Sequence, residues 1–131
     1  SHLTSNVSNI SQRAAIAALT GDQEPIQRML EAFDRRRKIA VAELNKVPGF
    51  VTPTPQGAFY VYPDVSGLIG KEVAGRTFSS SLEIADFILD EAEVALVPGE
   101  AFGPSGYVRL SYALGDEQLL EGIQRLQKLF A

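Results

Sequence analysis

Cysteine and tryptophan are absent from this chain of 131 residues, and its single histidine, His2, stands second in the sequence. Without cysteine the chain can form no disulfide, no cysteine-based zinc site and no thiol nucleophile. A single histidine also argues against Ser-His-Asp catalysis and against a metal site built from several histidines. We therefore predict no metal site, and we interpret His2 as part of a loop or as the remnant of a cleaved tag.

Charge and hydropathy argue against further classes of protein. The net charge is −4, whereas a duplex-binding protein needs clustered Lys and Arg to displace counterions. The one basic cluster, residues 35–38, is interpreted as a solvated helix face near Glu31 and Asp34. The apolar stretches are much shorter than the roughly 20 residues that span a bilayer, and no signal peptide is recognisable. We therefore expect a cytoplasmic protein that binds neither nucleic acid nor membrane.

The pattern of apolar residues predicts an α+β fold, in which a small sheet of three to four strands is covered by helices on one face and one long helix lies near the N-terminus. Helices are predicted over residues 10–19, from Asp22 to about Val47, after the capping box Ser80-x-x-Glu83, and after Asp116 as N-cap. Strands are predicted over residues 50–52, 58–62, 93–97 and 107–113, and a loop over residues 63–77.

The most informative segment runs from Val97 to Tyr112, where a loop containing three glycines separates two predicted strands. Glycine is used where the backbone turns sharply or approaches another group closely. On the strand after this loop, Tyr107, Arg109 and Ser111 share one face and the opposite face is apolar. The Arg109 guanidinium can bind a carboxylate through two parallel N–H···O bonds. The pattern also fits an arginine on a solvated sheet face, and periodicity alone favours that second interpretation.

The other candidates are weaker. Phe59, Tyr60 and Tyr62 can line a pocket, although aromatic residues in a strand more often belong to the core or cover the sheet. The glycines of residues 67–75 lack the strand-Gly-x-Gly-x-x-Gly-helix order of a dinucleotide site. The four lysines adjoin charged, polar or glycine residues, so none has the desolvated setting that favours Schiff-base chemistry. Composition and spacing alone thus indicate one candidate carboxylate clamp without an acid, base or nucleophile beside it.

Four motifs occur in one order along the chain: Ser5-Asn6 before the alanine-rich helix, Gly57-Ala-Phe-Tyr-Val61, Val97-Pro-Gly-x-x-Phe-Gly103 and Tyr107-Val-Arg-Leu-Ser111. Together they resemble the C-terminal portion of the class I aminotransferases, which are pyridoxal-phosphate enzymes of fold type I. Within that family the resemblance is strongest to the bacterial aspartate aminotransferases of subgroup Ib, and it covers essentially the whole chain. It implies that the intact enzyme uses pyridoxal 5'-phosphate to exchange an amino group between aspartate and 2-oxoglutarate.

The resemblance also implies roles for single residues. At the position of Arg109 the family carries the arginine that binds the α-carboxylate of the substrate, on a small domain that closes over the cofactor. The other candidate site-lining residues are Phe59, Tyr60, Thr4, Ser5 and Asn6. The loop formed by the last three is expected near the active site of the partner subunit, because the family works as homodimers with shared sites.

One departure from the family is decisive for the expected activity. The lysine that binds the cofactor lies upstream of this segment in the family, and no lysine here matches its motif. We therefore expect a fragment, in which residues 1–22 are the tail of the large cofactor-binding domain and residues 23–131 are the C-terminal small domain. The missing initiator methionine agrees with that interpretation. By itself the fragment is expected neither to bind the cofactor specifically nor to transaminate.

Two further expectations follow from the residues. A stand-alone α+β module that binds a small carboxylate, or that serves as an assembly domain, is the alternative to a fragment of an enzyme.

If the chain is a fragment, the helix over residues 10–19 packs on the large domain in the parent protein. In the isolated chain we expect its apolar side to be covered by a second copy, through domain swapping or simple dimerisation.

Overall fold

The computed structural model describes residues 5–131, so His2 lies outside the described part of the chain. Four helices are present in that part: α1 (Asn9–Thr20), α2 (Glu24–Leu44), α3 (Ser81–Ala92) and α4 (Asp116–Leu129). The strands are β1 (Tyr60–Val61), β2 (Glu72–Val73), β3 (Arg76–Thr77), β4 (Val97–Pro98) and β5 (Val108–Ser111). The chain divides into two compact units, Ser1–Glu31 and Ala32–Ala131. The domain boundary expected after residue 22 stays a prediction.

The main sheet consists of three antiparallel strands in the order β1-β5-β4, so β5 lies at its centre. Side chains alternate along β5 as the sequence predicts, because Val108 and Leu110 are buried whereas Arg109 is half-buried on the opposite face. The buried face joins one core cluster with residues of α2, α3 and α4. The predicted α+β class and small sheet are confirmed, and the face that carries Arg109 remains open for a site.

The core lies within the unit Ala32–Ala131. Its largest fully buried side chains come from the sheet, from α2 to α4 and from the connecting segments: Tyr112, Leu44, Ile84, Ile88, Leu119, Ile123, Leu126, Val47, Val61, Val65 and Val108. Burying one such side chain stabilises a fold by about 1.5–3 kcal/mol. Helix α1 by contrast has no buried residue. Within residues 5–131 no helix has the length and apolar composition needed to cross a bilayer.

Several element boundaries differ from the prediction. Residues 50–52 form only an isolated bridge, between Val51 and Asp64. Strand β4 begins at Val97, because Glu93 ends α3 in the left-handed conformation with φ 53° and no ladder forms directly after it. The predicted loop over residues 63–77 contains the hairpin β2–β3. Ala74 and Gly75 have φ values of 51° and 76° in its turn, as a tight two-residue hairpin turn requires.

Asp116 has a different role from the predicted one. Gly115 is the N-cap of α4, and Asp116 is the first residue of the helix. The Asp116 carboxylate instead accepts hydrogen bonds from the Nε atoms of Arg35 and Arg36, at 2.8 and 2.6 Å. These bonds, of which that from Arg35 has the larger effect, lower the pKa of Asp116 to about 2. Half of the basic cluster on α2 therefore connects α2 to α4 instead of forming a purely solvated face.

Replacement of Asp116 by Asn should make the free energy of unfolding fall less steeply as the pH decreases into the acid range. We call that part of the pH dependence the acid limb. The folded chain lowers the pKa of Asp116 from 3.8 to about 2. The carboxylate thus contributes stability that is present above its ordinary pKa and is lost as the pH falls toward 2. Urea unfolding followed by circular dichroism, at several values between about pH 6 and about pH 2, measures this slope.

The control for that experiment is Asp86→Asn on α3, since Asp86 takes part in no ion pair among residues 5–131. It should leave the acid limb as steep as in the wild type. An equally steep limb in Asp116→Asn would show that the arginine contacts do not stabilise the fold.

Candidate functional site

An open cavity of about 350 Å³ is lined by Tyr60, Tyr62, Phe102, Pro104 and Arg109. Arg109 reaches it from the central strand β5, and Tyr60 reaches it from the neighbouring strand β1. Phe102 and Pro104 come from the loop of residues 98–106, which connects β4 to β5. The cavity therefore has one cationic side chain and an otherwise aromatic and apolar lining. Two of its residues, Arg109 and Tyr60, stand on strands of the sheet.

The Arg109 guanidinium contacts two aromatic rings. Its carbon Cζ is 5.0 Å from the centre of the Tyr60 ring and 4.2 Å from the centre of the Phe102 ring. An aromatic face attracts a guanidinium without occupying its in-plane N–H donors. None of the ion pairs found between residues 5 and 131 involves Arg109. The arginine is thus held by rings while its donors stay available for an oxyanion such as a carboxylate.

Tyr62, which lines the cavity, belongs to a second aromatic pair. The rings of Tyr62 and Tyr107 are stacked, with centroids 5.0 Å apart and an angle of 12° between their planes. Both tyrosines are half-buried. Stacking fixes the ring of Tyr62, so the cavity has a firm aromatic side in addition to the rings at Arg109.

The structure brings together only some of the residues that the sequence indicates. Arg109 and Tyr60 meet in the cavity, whereas Phe59 is 53% exposed and contacts the Tyr60 ring edge-on, at 6.0 Å and 88°, without lining the cavity. Ser5 and Asn6 are exposed and belong to the unit Ser1–Glu31. Thr4 lies outside the described residues, so the site roles of all three stay predictions.

Phe102 and Pro104 are cavity residues that the sequence analysis did not name as site residues, although Phe102 belongs to the motif of residues 97–103. The sequence could have identified Phe102 as a signal of the site, because Phe102 is the one aromatic residue in the glycine-rich loop that precedes Arg109. Pro104 carried none, since proline is common in any loop.

Close backbone packing shapes the loop of residues 98–106. The Gly99 N–H donates to the Tyr107 carbonyl at 2.7 Å, and the Gly103 N–H donates to the Gly99 carbonyl at 2.9 Å. A Cβ atom on Gly99 would lie 2.5 Å from the Pro104 carbonyl oxygen and 3.0 Å from that of Tyr107. Glycine is therefore required at position 99 for the loop to fold back on itself.

A hydrogen-bond network joins the same loop to the first turn of α3. Ser81 Oγ donates to Glu100 Oε2 at 2.5 Å, and the Ser81 N–H donates to Glu100 Oε1 at 3.0 Å. Ser81 is fully buried, and its Oγ also accepts from the Gly106 N–H at 2.9 Å. Hydrogen bonds from Ser81, and then from Ser105, lower the pKa of Glu100 to about 2. Sequence reasoning missed this network because Ser81 and Glu100 are 19 residues apart.

Substitution of Gly99 by Ala should lower the free energy of unfolding by about 1–3 kcal/mol, because the added methyl group collides with two carbonyl oxygens. Gly103→Ala in the same loop is the matched control, since a Cβ there meets nothing within 4 Å. Chemical denaturation of the two variants beside the wild type gives both values. Equal losses in the two variants would contradict the close approach at Gly99.

The chain is similar to proteins of established families. Residues 1–126 match the family described as aminotransferase class I and II. The aspartate aminotransferase of Streptomyces avermitilis is 58% identical over 131 residues, which cover 100% of this chain and 32% of that protein. The aspartate/prephenate aminotransferase of Cereibacter sphaeroides is 48% identical over 132 residues, or 100% of this chain and 33% of that protein.

Solved structures agree with the sequence relatives. The crystal structure of the aspartate aminotransferase from Rhizobium meliloti matches with a TM-score of 0.87 and 36% identity, covering 98% of this chain and 32% of that one. An aromatic aminotransferase from Pyrococcus horikoshii matches with a TM-score of 0.75 and 38% identity, covering 90% of this chain and 30% of that one. The chain thus spans about a third of the length of the curated relatives it matches.

Proposed function

Because this chain belongs to the class I and II aminotransferase family, we propose that it is the C-terminal portion of a pyridoxal-phosphate-dependent aspartate aminotransferase. The intact enzyme would convert aspartate and 2-oxoglutarate to oxaloacetate and glutamate. This portion would supply Arg109, which binds the substrate α-carboxylate, and the lid that closes the site. The observation that carries the proposal is the Arg109 guanidinium, held by two aromatic rings at the wall of an open cavity.

The geometry supports a binding role for Arg109 in two ways. A guanidinium with free in-plane donors forms two parallel hydrogen bonds with a carboxylate and so fixes both the position and the orientation of the substrate. The arginine also stands on the central strand of a packed sheet. A carboxylate bound there would draw the whole small domain over the substrate and exclude water.

The residues described here do not by themselves fit the cofactor. The family attaches pyridoxal phosphate to a lysine, which is the nucleophile suited to carbonyl compounds. All four lysines of this chain are exposed, and none lines the Arg109 cavity. Lys38 and Lys46 form ion pairs with Asp34 and Glu43. We therefore place the cofactor site in the roughly two thirds of the relatives' length that this chain does not span, and propose that this chain alone does not transaminate.

The distribution of buried residues supports two parts of the chain, but the compact units divide between Glu31 and Ala32 and not after residue 22. We propose that residues 1–22 belong to the large domain and residues 23–131 to the small domain. The unit Ala32–Ala131 contains the hydrophobic core cluster. None of the residues of α1 is buried, which is expected of a helix whose partner surface belongs to another domain.

We propose that the longer protein is a homodimer in which the loop Thr4-Ser5-Asn6 lies near the active site of the partner subunit. Helix α1, which follows this loop, exposes large apolar side chains that the large domain would cover in the longer protein and a second copy would cover in the isolated chain. The exposed fractions of Ile10, Ile16 and Leu19 are 83%, 60% and 82%. Exposed apolar residues, which α2 also carries at Ile26, Met29 and Leu30, are typical of a surface that binds another protein surface.

The carboxylate-binding role predicts that Arg109→Lys in the longer protein raises KM for aspartate at least about tenfold and lowers kcat/KM accordingly, because Lys replaces a bidentate charged pair with a point charge. Steady-state kinetics with aspartate and 2-oxoglutarate provide the measurement. Arg76→Lys is the matched control, since Arg76 also stacks on an aromatic ring, Phe87, at 5.3 Å, but does not line the cavity. Unchanged KM in Arg109→Lys would refute the assignment.

The exposed apolar residues of α1 predict self-association of the 131-residue chain. Sedimentation velocity at increasing concentration should show a dimer, and the double variant Ile16→Glu/Leu19→Glu should shift the chain toward monomer, because two charges would have to be buried in the interface. Ser11→Glu/Ala18→Glu adds the same charge to another side of α1 and should preserve the dimer. A wild-type chain that stays monomeric at high concentration would contradict the interface.

A further inference from the structure

We propose that Glu100 is a positioning residue for Arg109, which acts by anchoring the turn that presents the Phe102 ring to the guanidinium. The structural part of this inference is independent of the proposed function. Its consequence for substrate binding rests on that function.

Glu100 is anchored at the first turn of α3. Its carboxylate accepts hydrogen bonds from the N–H groups of Ser81 and Leu82, at 3.0 and 3.4 Å, and from the Ser81 hydroxyl at 2.5 Å. These N–H groups belong to the first turn of α3, where amides have no partner within the helix and negative charge is stabilised. The hydroxyl of the N-cap Ser80 accepts from the Glu83 N–H at 3.2 Å. Glu100 therefore completes the cap of α3 from outside the helix.

A short stretch of backbone connects Glu100 to Phe102. Glu100 is the middle residue of a 3-10 turn, Gly99–Ala101, and Phe102 is the residue that ends this turn. The Phe102 N–H donates to the Gly99 carbonyl at 2.8 Å. Phe102 itself is 57% exposed, so surrounding packing does not fix its ring. The anchored turn is what holds the ring 4.2 Å from Arg109 Cζ.

Ser81 also binds the other end of the loop. Ser81 Oγ accepts from the Gly106 N–H at 2.9 Å, and Gly106 has φ 98°, a value that favours glycine. The Gly106 carbonyl in turn accepts from the Val65 N–H at 2.8 Å. The buried Ser81 thus connects Glu100, two residues before Phe102, with Gly106, three residues before Arg109. The hydrogen bonds of Ser81 therefore set the positions of both Phe102 and Arg109.

Loss of this anchor should free the guanidinium. Without Phe102 against it, the Arg109 side chain samples more rotamers, and a bound carboxylate must then order them. Such a change weakens binding of the ground state and of the transition state alike, so it raises KM with little effect on kcat.

The structural part is tested by NMR on the 131-residue chain. Nuclear Overhauser effects between the Phe102 ring protons and the Arg109 side chain should be present in the wild type and lost in Glu100→Ala. Glu100→Gln keeps the size and one acceptor oxygen, so it should restore an intermediate intensity. If Glu100→Ala does not fold, Glu100→Gln decides the question, because an intensity equal to that of the wild type would overturn the proposal.

Glu83→Ala is the matched control for a purely structural effect. The Glu83 carboxylate accepts from the Ser79 N–H and hydroxyl, both at 2.8 Å, at the same end of α3 but away from the loop. This variant loses comparable hydrogen bonds and should keep the contact between Phe102 and Arg109. Contact retained in Glu100→Ala, or lost equally in Glu83→Ala, would overturn the proposal.

The functional part is tested in the longer protein. Glu100→Ala should raise KM for aspartate about two- to fivefold and leave kcat nearly constant, and Phe102→Leu should reproduce that change. Glu83→Ala should leave both constants as in the wild type. If Arg109→Lys leaves KM unchanged while Glu100→Ala abolishes the NMR contact, the proposed function fails and the positioning role stands. If the contact persists in Glu100→Ala, the positioning role fails whatever the kinetics of Arg109→Lys.

Discussion

The alternation of side chains along β5 is the constraint on which the rest of the site depends. Val108 and Leu110 are buried in the core, so Arg109 between them has to project from the other face of the sheet. A shift of the strand register by one residue would bury the guanidinium and expose the apolar pair. Because β1 and β4 flank β5, the Tyr60 ring and the loop that carries Phe102 reach the arginine from neighbouring strands.

Sequence reasoning succeeded where a local pattern determines the structure. The capping box at Ser80 and Glu83 marks the start of α3, and alternation places Arg109 opposite the apolar residues of β5. It failed where the structure depends on polar contacts between distant segments. Asp116 lies 81 residues from Arg35 and Ser81 lies 19 residues from Glu100, and no periodicity connects such pairs. Charged residues on exposed faces look alike in a sequence, so their partners emerge only from the fold.

Resemblance supplied what local patterns could not. Spacing alone left Arg109 with two interpretations, and the order of four motifs along the chain raised the carboxylate clamp above the solvated arginine. The structure adds that aromatic rings hold this guanidinium without neutralising it. The match of residues 1–126 to the aminotransferase family supports the same interpretation. In the proposed enzyme two functions therefore lie in different parts of the chain. This portion binds the substrate carboxylate, and the portion that precedes it in the family attaches the cofactor.

The in-plane donors of Arg109, which no ion pair among residues 5–131 occupies, also bear on selectivity. A guanidinium that is bounded by rings offers the same two hydrogen bonds to every carboxylate, whatever chain the acid carries. If Arg109 binds the substrate carboxylate as proposed, acetate, formate or citrate in a buffer would compete with an amino acid for this position. Discrimination between one amino acid and another has to come from groups that touch the remainder of the substrate.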